Sequence, residues 1–419
     1  MTQAPLKIAV VSQYFFPENF IINDIVRELG SLGAHVEVFT GKPNYPTGEV
    51  FPGYHAHGTV EDHFADTIAV HRAPLRPRGQ GGAKNLILNY LSFVANGVRY
   101  FWPHARRKKF DIYFVFAPSP ITSVIPALAM KCAHRAPVYL WVQDLWPESL
   151  EATGFIKNKS LLSLVGQLVR GLYWAVDVLL VQSRAFIEPV KRYARADKIS
   201  YYPNSYLHQS ESCEAGVLPG SLTDLLRSNF CVVFAGNLGS AQALPTIIET
   251  ARILKAEQSQ ARIVMVGTGS KAAWLLEEKT RLGLDNLIVA GAYPRSAMSE
   301  LFDLSSALLV TLKRDEIFSF TIPSKVQAYL AAGRPIIGSL DGEGARVIDD
   351  AGAGVTCPAE DAGELAACIR TLQAMPAEDR AYMGAQARAY FLKNFELKAQ
   401  CKALLQMFEQ RIEQDRATQ

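Results

Sequence analysis

The stretch FTIPSKVQAYLAAGRPIIG, Phe320 to Gly338, shows in miniature how the chain is built. Its pattern predicts a loop, a helix, a glycine stop and a buried strand. Pro323 suits a first helical turn, and Thr321 and Ser324 are candidate caps. Gly333 supplies the C-terminal stop, and PIIG opens an apolar strand. A helix start with free backbone N–H groups, a hydroxyl and Lys325 is a natural place for phosphate. Acids that would accompany a sugar are missing, since the helix carries Gln327 and Ala328 instead.

The helix-then-strand unit recurs along the chain. In the first half, apolar runs at 7–13, 35–40, 67–73, 111–117, 138–144, 177–183 and 198–203 read as strands. Helical patterns lie between most of them, at 18–32, 84–102, 119–134 and 159–175. Continuous apolar strands separated by helices predict a parallel sheet covered on both faces. Residues 204–228 are polar and contain Gly, Pro and Ser, and they read as a linker. The alternation restarts with runs at 231–236, 262–267, 286–291, 307–313, 335–340 and 354–359, and the chain ends in helices. The expected class is α/β, with two doubly wound Rossmann-like domains facing a central cleft. Ligands in such sheets sit beyond the carboxyl ends of the strands.

Bulk properties agree and exclude other classes. A chain of 419 residues exceeds one ordinary core, so two domains of roughly 200 residues are expected. A net charge of +3 argues against nucleic acid as a partner. Six cysteines with no C-x-x-C pair fit neither a disulfide framework nor a zinc site, and no metal is expected. No signal peptide is legible, and no apolar run is long enough to span a bilayer. The expected location is therefore the cytoplasm.

In the first half, the turn SQYFFPENF lacks the G-x-G-x-x-G of a dinucleotide site. Glu18 and Asn19 either cap the next helix or touch a polar ligand. Asn44 and Tyr45, in the loop GKPNYPTG, could hydrogen-bond and stack on a sugar; a purely structural loop is the alternative. In WVQDLWPES, Asp144 stands at a strand's carboxyl end with Trp141, Trp146 and Glu148 near it. Two acids and an indole there suit a carbohydrate acceptor, with Asp144 orienting or deprotonating a hydroxyl. Glu148 could equally only cap a helix. The segment 89–110 is aromatic and ends in Arg106, Arg107, Lys108 and Lys109. With Arg99 and Trp102, it suits an anionic membrane surface; an ordinary amphipathic helix ending in dipole-favoured cations is the alternative.

In the second half, FAGNLGSAQAL places Gly236, Asn237, Gly239 and Gln242 at a strand-to-helix turn, where backbone N–H groups can approach phosphate. VMVGTGSKAAWL carries Gly267, Gly269 and Lys271. It makes a weak dinucleotide fingerprint and a better phosphate neighbourhood. Tyr293 lies in a turn where main-chain atoms could meet a base. In DGEGAR, Glu343 stands between glycines that leave its carboxylate able to reach a ligand; a first-turn Glu favoured by the helix dipole is the alternative.

The motifs SQYFFPEN, GKPNYPTG, WVQDLWPES, PNS, FAGNLGSAQ, VGTGSK, IPSKVQAYLAAGRPI and DGEGAR, in that order, resemble family 4 glycosyltransferases of GT-B fold. The resemblance covers nearly the whole chain and is nearest to bacterial L-N-acetylfucosamine transferases of O-antigen and capsule assembly. It implies retaining, metal-independent and cofactor-free transfer from a nucleotide-diphosphate sugar, expected to be UDP-linked. It places an acceptor domain at 1–205, a linker at 206–228 and a donor domain at 229–394. A last helix, 395–419, returns to the acceptor domain. It implies a lipid-linked (undecaprenyl-diphosphate) saccharide as acceptor and peripheral association with the inner membrane face. Lys325, Asp144 and Glu343 are the expected catalytic residues. Ser324, Gly344 and Ala345 join the donor site. Two glutamates usual in the family fall at Phe320 and Ala328 here, and Gln242 lies near a usual lysine. Alternatives are a nucleotide-sugar 2-epimerase of GT-B fold and an inactive nucleotide-sugar-binding assembly protein.

Overall fold

A computed structural model describes residues 4–79, 82–207 and 218–417. Its contacts divide the chain into two compact units, Met1–Asn204 with Leu397–Gln419, and Ser205–Glu396.

The first unit is built on eight strands: β1 (Lys7–Ser12), β2 (His35–Gly41), β3 (Val60–Phe64), β4 (Ile68–Ala73), β5 (Ile112–Ala117), β6 (Val138–Val142), β7 (Val178–Val181) and β8 (Ile199–Tyr201). Their order is β3-β4-β2-β1-β5-β6-β7-β8. Every pairing is parallel except β3 with β4. The helix Leu397–Ala417 packs on this sheet. Phe408 meets Tyr139 at 4.7 Å and Phe114 at 5.8 Å, and the Tyr139 hydroxyl donates to Met407 O at 3.0 Å. Trp141, expected beside a ligand, is fully buried in β6 instead, with its indole N–H on Tyr202 O at 3.0 Å.

The second unit has six parallel strands: β9 (Cys231–Ala235), β10 (Arg262–Val266), β11 (Leu287–Gly291), β12 (Ala307–Thr311), β13 (Ile336–Ser339) and β14 (Gly354–Cys357). The order is β11-β10-β9-β12-β13-β14. Alternate residues feed two separate cores. Cys231, Val233 and Ala235 join one, and Val232 and Phe234 the other; Leu308 and Val310 likewise part from Ala307 and Leu309. Period-2 alternation with both sets buried is what a sheet covered on both faces requires. The doubly wound α/β expectation holds in both units. In each, the strand order reverses next to the first strand, between β1 and β5 and between β9 and β12, which is where such sheets bind ligands.

Three expectations need correction. The strand β3 was missed because VEDHF is an edge strand with polar, half-exposed residues. The expected linker is partly helical, since Gly220–Ser228 folds with Leu222 and Leu226 buried; residues 208–217 of it lie outside the described residues. In the opening stretch, Pro323 is the N-cap of helix Ser324–Ala332 and neither Thr321 nor Ser324 caps it by side chain, while Gly333 ends it at φ 67° as expected. A short helix, Glu316–Phe320, precedes it, capped by the Asp315 carboxylate on Ile317 N.

Candidate active site

The second unit gathers its polar groups at the reversal of strand order. Gly236 follows β9 at φ 142°, and a Cβ there would lie 2.6 Å from Lys325 Cε. The glycine thus makes room for the lysine stem. That stem runs over Phe234, with Nζ 3.7 Å from the ring centroid, and Nζ donates to Gln242 Oε1 at 2.5 Å. Burial pushes the Lys325 ammonium down to about 7. Gln242 is itself anchored, because Thr311 Oγ1 donates to its carbonyl at 2.7 Å and Lys313 N to Ala241 O at 2.9 Å. A cavity of about 780 Å³ opens here, lined among others by Gly236, Ser324, Lys325, Ala328, Arg295 and Arg388. Sequence reasoning missed both arginines. Ala328 brings no acid to that wall, and the carboxylate among the lining residues is that of Asp303.

Other expected donor residues serve different purposes. Gly267 sits at φ 140°, and a Cβ would fall 1.8 Å from Gly236 O. At Gly269 a Cβ would meet Leu238 O at 2.5 Å. Both glycines let the turn after β10 lie against the turn after β9, which explains them without a ligand. Gly239 would meet Asn237 Nδ2 at 2.7 Å, so it too packs against its own turn, where Asn237 is exposed. Lys271 is exposed, with its N–H on Leu238 O, and Tyr293 leans on the core.

Glu343 overturns the expectation of a carboxylate open to a ligand. It is buried and grips Arg346 with both oxygens, at 2.7 and 2.9 Å. Its neighbours are glycine for packing: a Cβ at Gly342 would lie 2.2 Å from Ser319 O, and one at Gly344 2.9 Å from Pro323 Cδ. Ala345 packs against the same core. The DGEGAR turn therefore buttresses the segment leading into Lys325. Glu343→Gln should lower stability by about 1–3 kcal/mol, read as a fall in Tm, because Arg346 loses its buried anion.

In the first unit, Glu18 is the organising acid. It is buried, and its carboxylate accepts from the N–H groups of Phe15 (3.0 Å), Asn44 (2.8 Å) and Tyr45 (2.8 Å). Burial pushes its carboxyl up to about 7, against the pull of those donors. Glu18 thus ties the turn after β1 to the loop after β2, and Asn19 beside it is exposed. Asn44 is buried as a second tie, accepting from Arg78 N at 3.2 Å. Tyr14, Phe20 and Tyr45 form an aromatic cluster at 5.3–5.8 Å, and the Arg78 guanidinium lies over Tyr14 and Tyr45. Tyr14, Phe20 and Arg78 were not foreseen; the signal was the aromatic density of SQYFFPENF.

Asp144 is half-buried just past β6. Trp146 Nε1 donates to its Oδ2 at 3.3 Å, and burial pushes its carboxyl above the usual carboxylate range. Glu148 opens the short helix Glu148–Ala152 and pairs with Arg192 at 3.7 Å; burial raises its carboxyl too. The basic segment is only partly a surface. Arg99, Trp102, Arg106, Arg107 and Lys109 are exposed, whereas Phe101 is buried and Lys108 pairs with the buried Glu37. A more apolar face lies on helix Lys159–Ala175, where Leu161, Leu164, Leu168 and Trp174 are 43–80% exposed.

Residues 19–205 match a glycosyl transferase 4-like domain and residues 229–374 a glycosyl transferases group 1 domain. The chain is 25% identical to "Probable glycosyltransferase WbjE" of Pseudomonas aeruginosa, over 61% of this chain and 64% of that protein. It is also 25% identical to "Putative colanic acid biosynthesis glycosyl transferase WcaI" of Escherichia coli K12, over 78% and 82%. Among solved structures, Anabaena Alr3699/HepE in complex with UDP superposes with a TM-score of 0.67 at 13% identity, covering 97% of this chain and 100% of that one. An α,α-trehalose 6-phosphate synthase from Burkholderia multivorans gives 0.72 at 13%, covering 99% and 98%. The two halves thus match glycosyl transferase domains, in order, on two Rossmann-like sheets, which is the GT-B fold.

Proposed function

We propose that the protein transfers a sugar from a nucleotide-diphosphate donor to a lipid-linked saccharide at a membrane surface, with retention of configuration and without a metal or cofactor in the transfer step. The observation that carries this is Lys325. Its ammonium is held at the start of helix Ser324–Ala332, over Gly236 and at the strand-order reversal of the second sheet, in a cavity that Arg295 and Arg388 also line. A diphosphate seated there meets the ammonium, the Ser324 hydroxyl and the helix N–H groups. As the C1–O bond to the diphosphate breaks, those groups take up the developing charge. The acceptor oxygen bonds to C1 from the same face, with Asp144 orienting its hydroxyl, and the hydroxyl proton passes to the departing diphosphate oxygen. UDP is the favoured nucleotide because HepE, a neighbour of the same fold, is solved with UDP. The polysaccharide setting rests on WcaI. An N-acetylated deoxyhexose such as L-FucNAc is the favoured sugar, from the motif resemblance.

The exposed Tyr45, backed by Phe20 and the buried Tyr14, provides a stacking face for the acceptor, and Arg78 a cation. Helix Lys159–Ala175 supplies the membrane face. Its exposed leucines are flanked by exposed Lys157, Lys159 and Arg170, as in helices that lie in an anionic interface. The triple change Leu161→Ser, Leu164→Ser, Leu168→Ser should weaken binding to anionic vesicles by on the order of tenfold to a hundredfold. Neutralising Arg106 and Arg107 should act less, and only at low salt. Equal vesicle binding by the triple variant would remove the helix from the membrane.

The direct test incubates a panel of nucleotide sugars with a lipid-diphosphate saccharide and reads products by mass spectrometry. Acceptor heavier by one sugar supports transfer. An epimer formed without acceptor supports an epimerase, and nucleotide binding with neither product supports an assembly role.

A further inference from the structure

Away from both sites, one buried carboxylate draws an unusual set of partners. His35, Glu37 and Phe39 alternate on one face of β2. His71 lies on β4, in register with Phe39, and His104 in the last turns of helix Ala83–Arg107. Both imidazoles turn Nε2 to the same atom, Glu37 Oε2, at 3.0 Å from His71 and 3.1 Å from His104. The two rings sit 4.2 Å apart, and Phe39 walls both, at 4.8 and 5.2 Å. Among the described residues this is the one group of three such ligands whose donor atoms all lie within 4.8 Å of one another.

We infer that Glu37, His71 and His104 form a binding site for a divalent transition-metal ion of the zinc class, joining β2, β4 and the end of helix Ala83–Arg107. Two nitrogens and one carboxylate oxygen suit zinc, with a fourth position for water or a further ligand. With metal–ligand bonds of about 2.0–2.1 Å, tetrahedral geometry separates ligand atoms by about 3.3 Å. The two nitrogen–oxygen separations fall short of that by two or three tenths of an ångström. As a metal ligand each ring is the neutral imidazole that gives its Nε2 lone pair to the ion and carries its proton on Nδ1.

The surroundings match a metal centre. His71 Nδ1 lies 3.3 Å from Glu61 Oε1, the carboxylate–histidine arrangement that fixes a ligating ring. His35 Nε2 stands on the far side of the carboxylate, 3.4 Å from Glu37 Oε1 and 3.0 Å from Lys108 Nζ, so the fourth position is left to water. A cavity of about 200 Å³ touches His71, His104 and Glu61 and gives an entry. Lys108 occupies the other Glu37 oxygen; its side chain is 39% exposed, so it can swing to solvent as the ion enters. The bound ion clips the helix end carrying Trp102 and Arg106 to the sheet, and takes no part in sugar transfer.

The test uses the full-length, untagged chain stripped with a chelator and titrated with Zn²⁺ against a chromophoric competitor. One ion per chain and a higher Tm are expected. His71→Gln with His104→Gln should abolish both, with circular dichroism confirming the fold. If that pair fails to fold, His104→Gln alone, at the helix end, must lose the site. Glu61→Gln should weaken affinity about 10- to 100-fold. Failure of the wild type to take up zinc, or uptake unchanged in the histidine variants, would show an ion-pair cluster only and overturn the assignment.

Discussion

Lys325→Ala should lower kcat for sugar transfer by roughly tenfold to a thousandfold, with a smaller change in donor KM. The asymmetry follows from where the charge appears. In the ground state the diphosphate charge is shared with the sugar bond and met by helix N–H groups as well. In the transition state the bridging oxygen becomes anionic, and the buried ammonium is the group that gains most. The measurement is steady-state kinetics with circular dichroism as a check on folding. Lys325→Arg should not restore the rate, because a forked guanidinium does not fit the slot between Phe234 and Gln242. A folded Lys325→Ala enzyme with unchanged kcat would refute the placement of the leaving group.

The same lysine sets a pH dependence. Its folded value near 7 lies below the value of about 10.4 it has in an unfolded chain. The unfolded chain therefore takes a proton between those values that the folded chain refuses. The lysine's contribution to stability is present at high pH, declines as pH falls through this window, and is constant below about 7. Bound diphosphate restores the proton. Nucleotide binding must then take up a proton, and affinity must fall as pH rises above 7, by up to tenfold per unit. The diphosphate itself is ionised there, its last pKa being about 6. Calorimetry in two buffers of different ionisation enthalpy measures the uptake, and a Lys325→Met variant should show none.

How much of this was legible depends on distance along the chain. The α/β class and most strands follow from local apolar runs, because both faces of these sheets are buried and the strands read as continuous. The edge strand VEDHF and the helix Glu316–Phe320 lack that signal. The helix start at Ser324–Lys325 was readable from seven residues. Its partner Gln242 stood out for its place near a usual lysine, but nothing local says that the two side chains meet. Glu37, His71 and His104 come together through sheet order, which no spacing reveals. Glu343 was misread because glycines around an acid look alike whether they admit a ligand or admit a neighbouring loop. What decides is Arg346 three residues on, where i,i+3 spacing in a helix brings opposite charges together.

The glycines permit the sharpest separation of packing from ligand binding. Gly267→Ala should cost roughly 3–5 kcal/mol, enough to leave little folded protein. Two causes add. At φ 140° the backbone is one that L side chains rarely adopt, and the new Cβ would fall 1.8 Å from Gly236 O, a main-chain atom of β9's turn that cannot move without moving Lys325. Gly33 is the control. Its φ of 93° is also left-handed, but no atom lies within 4 Å of an added Cβ, so Gly33→Ala should cost only about 1 kcal/mol. Chemical denaturation of the two variants measures the difference. If Gly267 instead served only to let a phosphate approach, its alanine variant would fold as well as Gly33→Ala and fail solely in nucleotide binding. The 1.8 Å contact predicts the opposite order: stability is lost first, and with it the turn that seats Lys325.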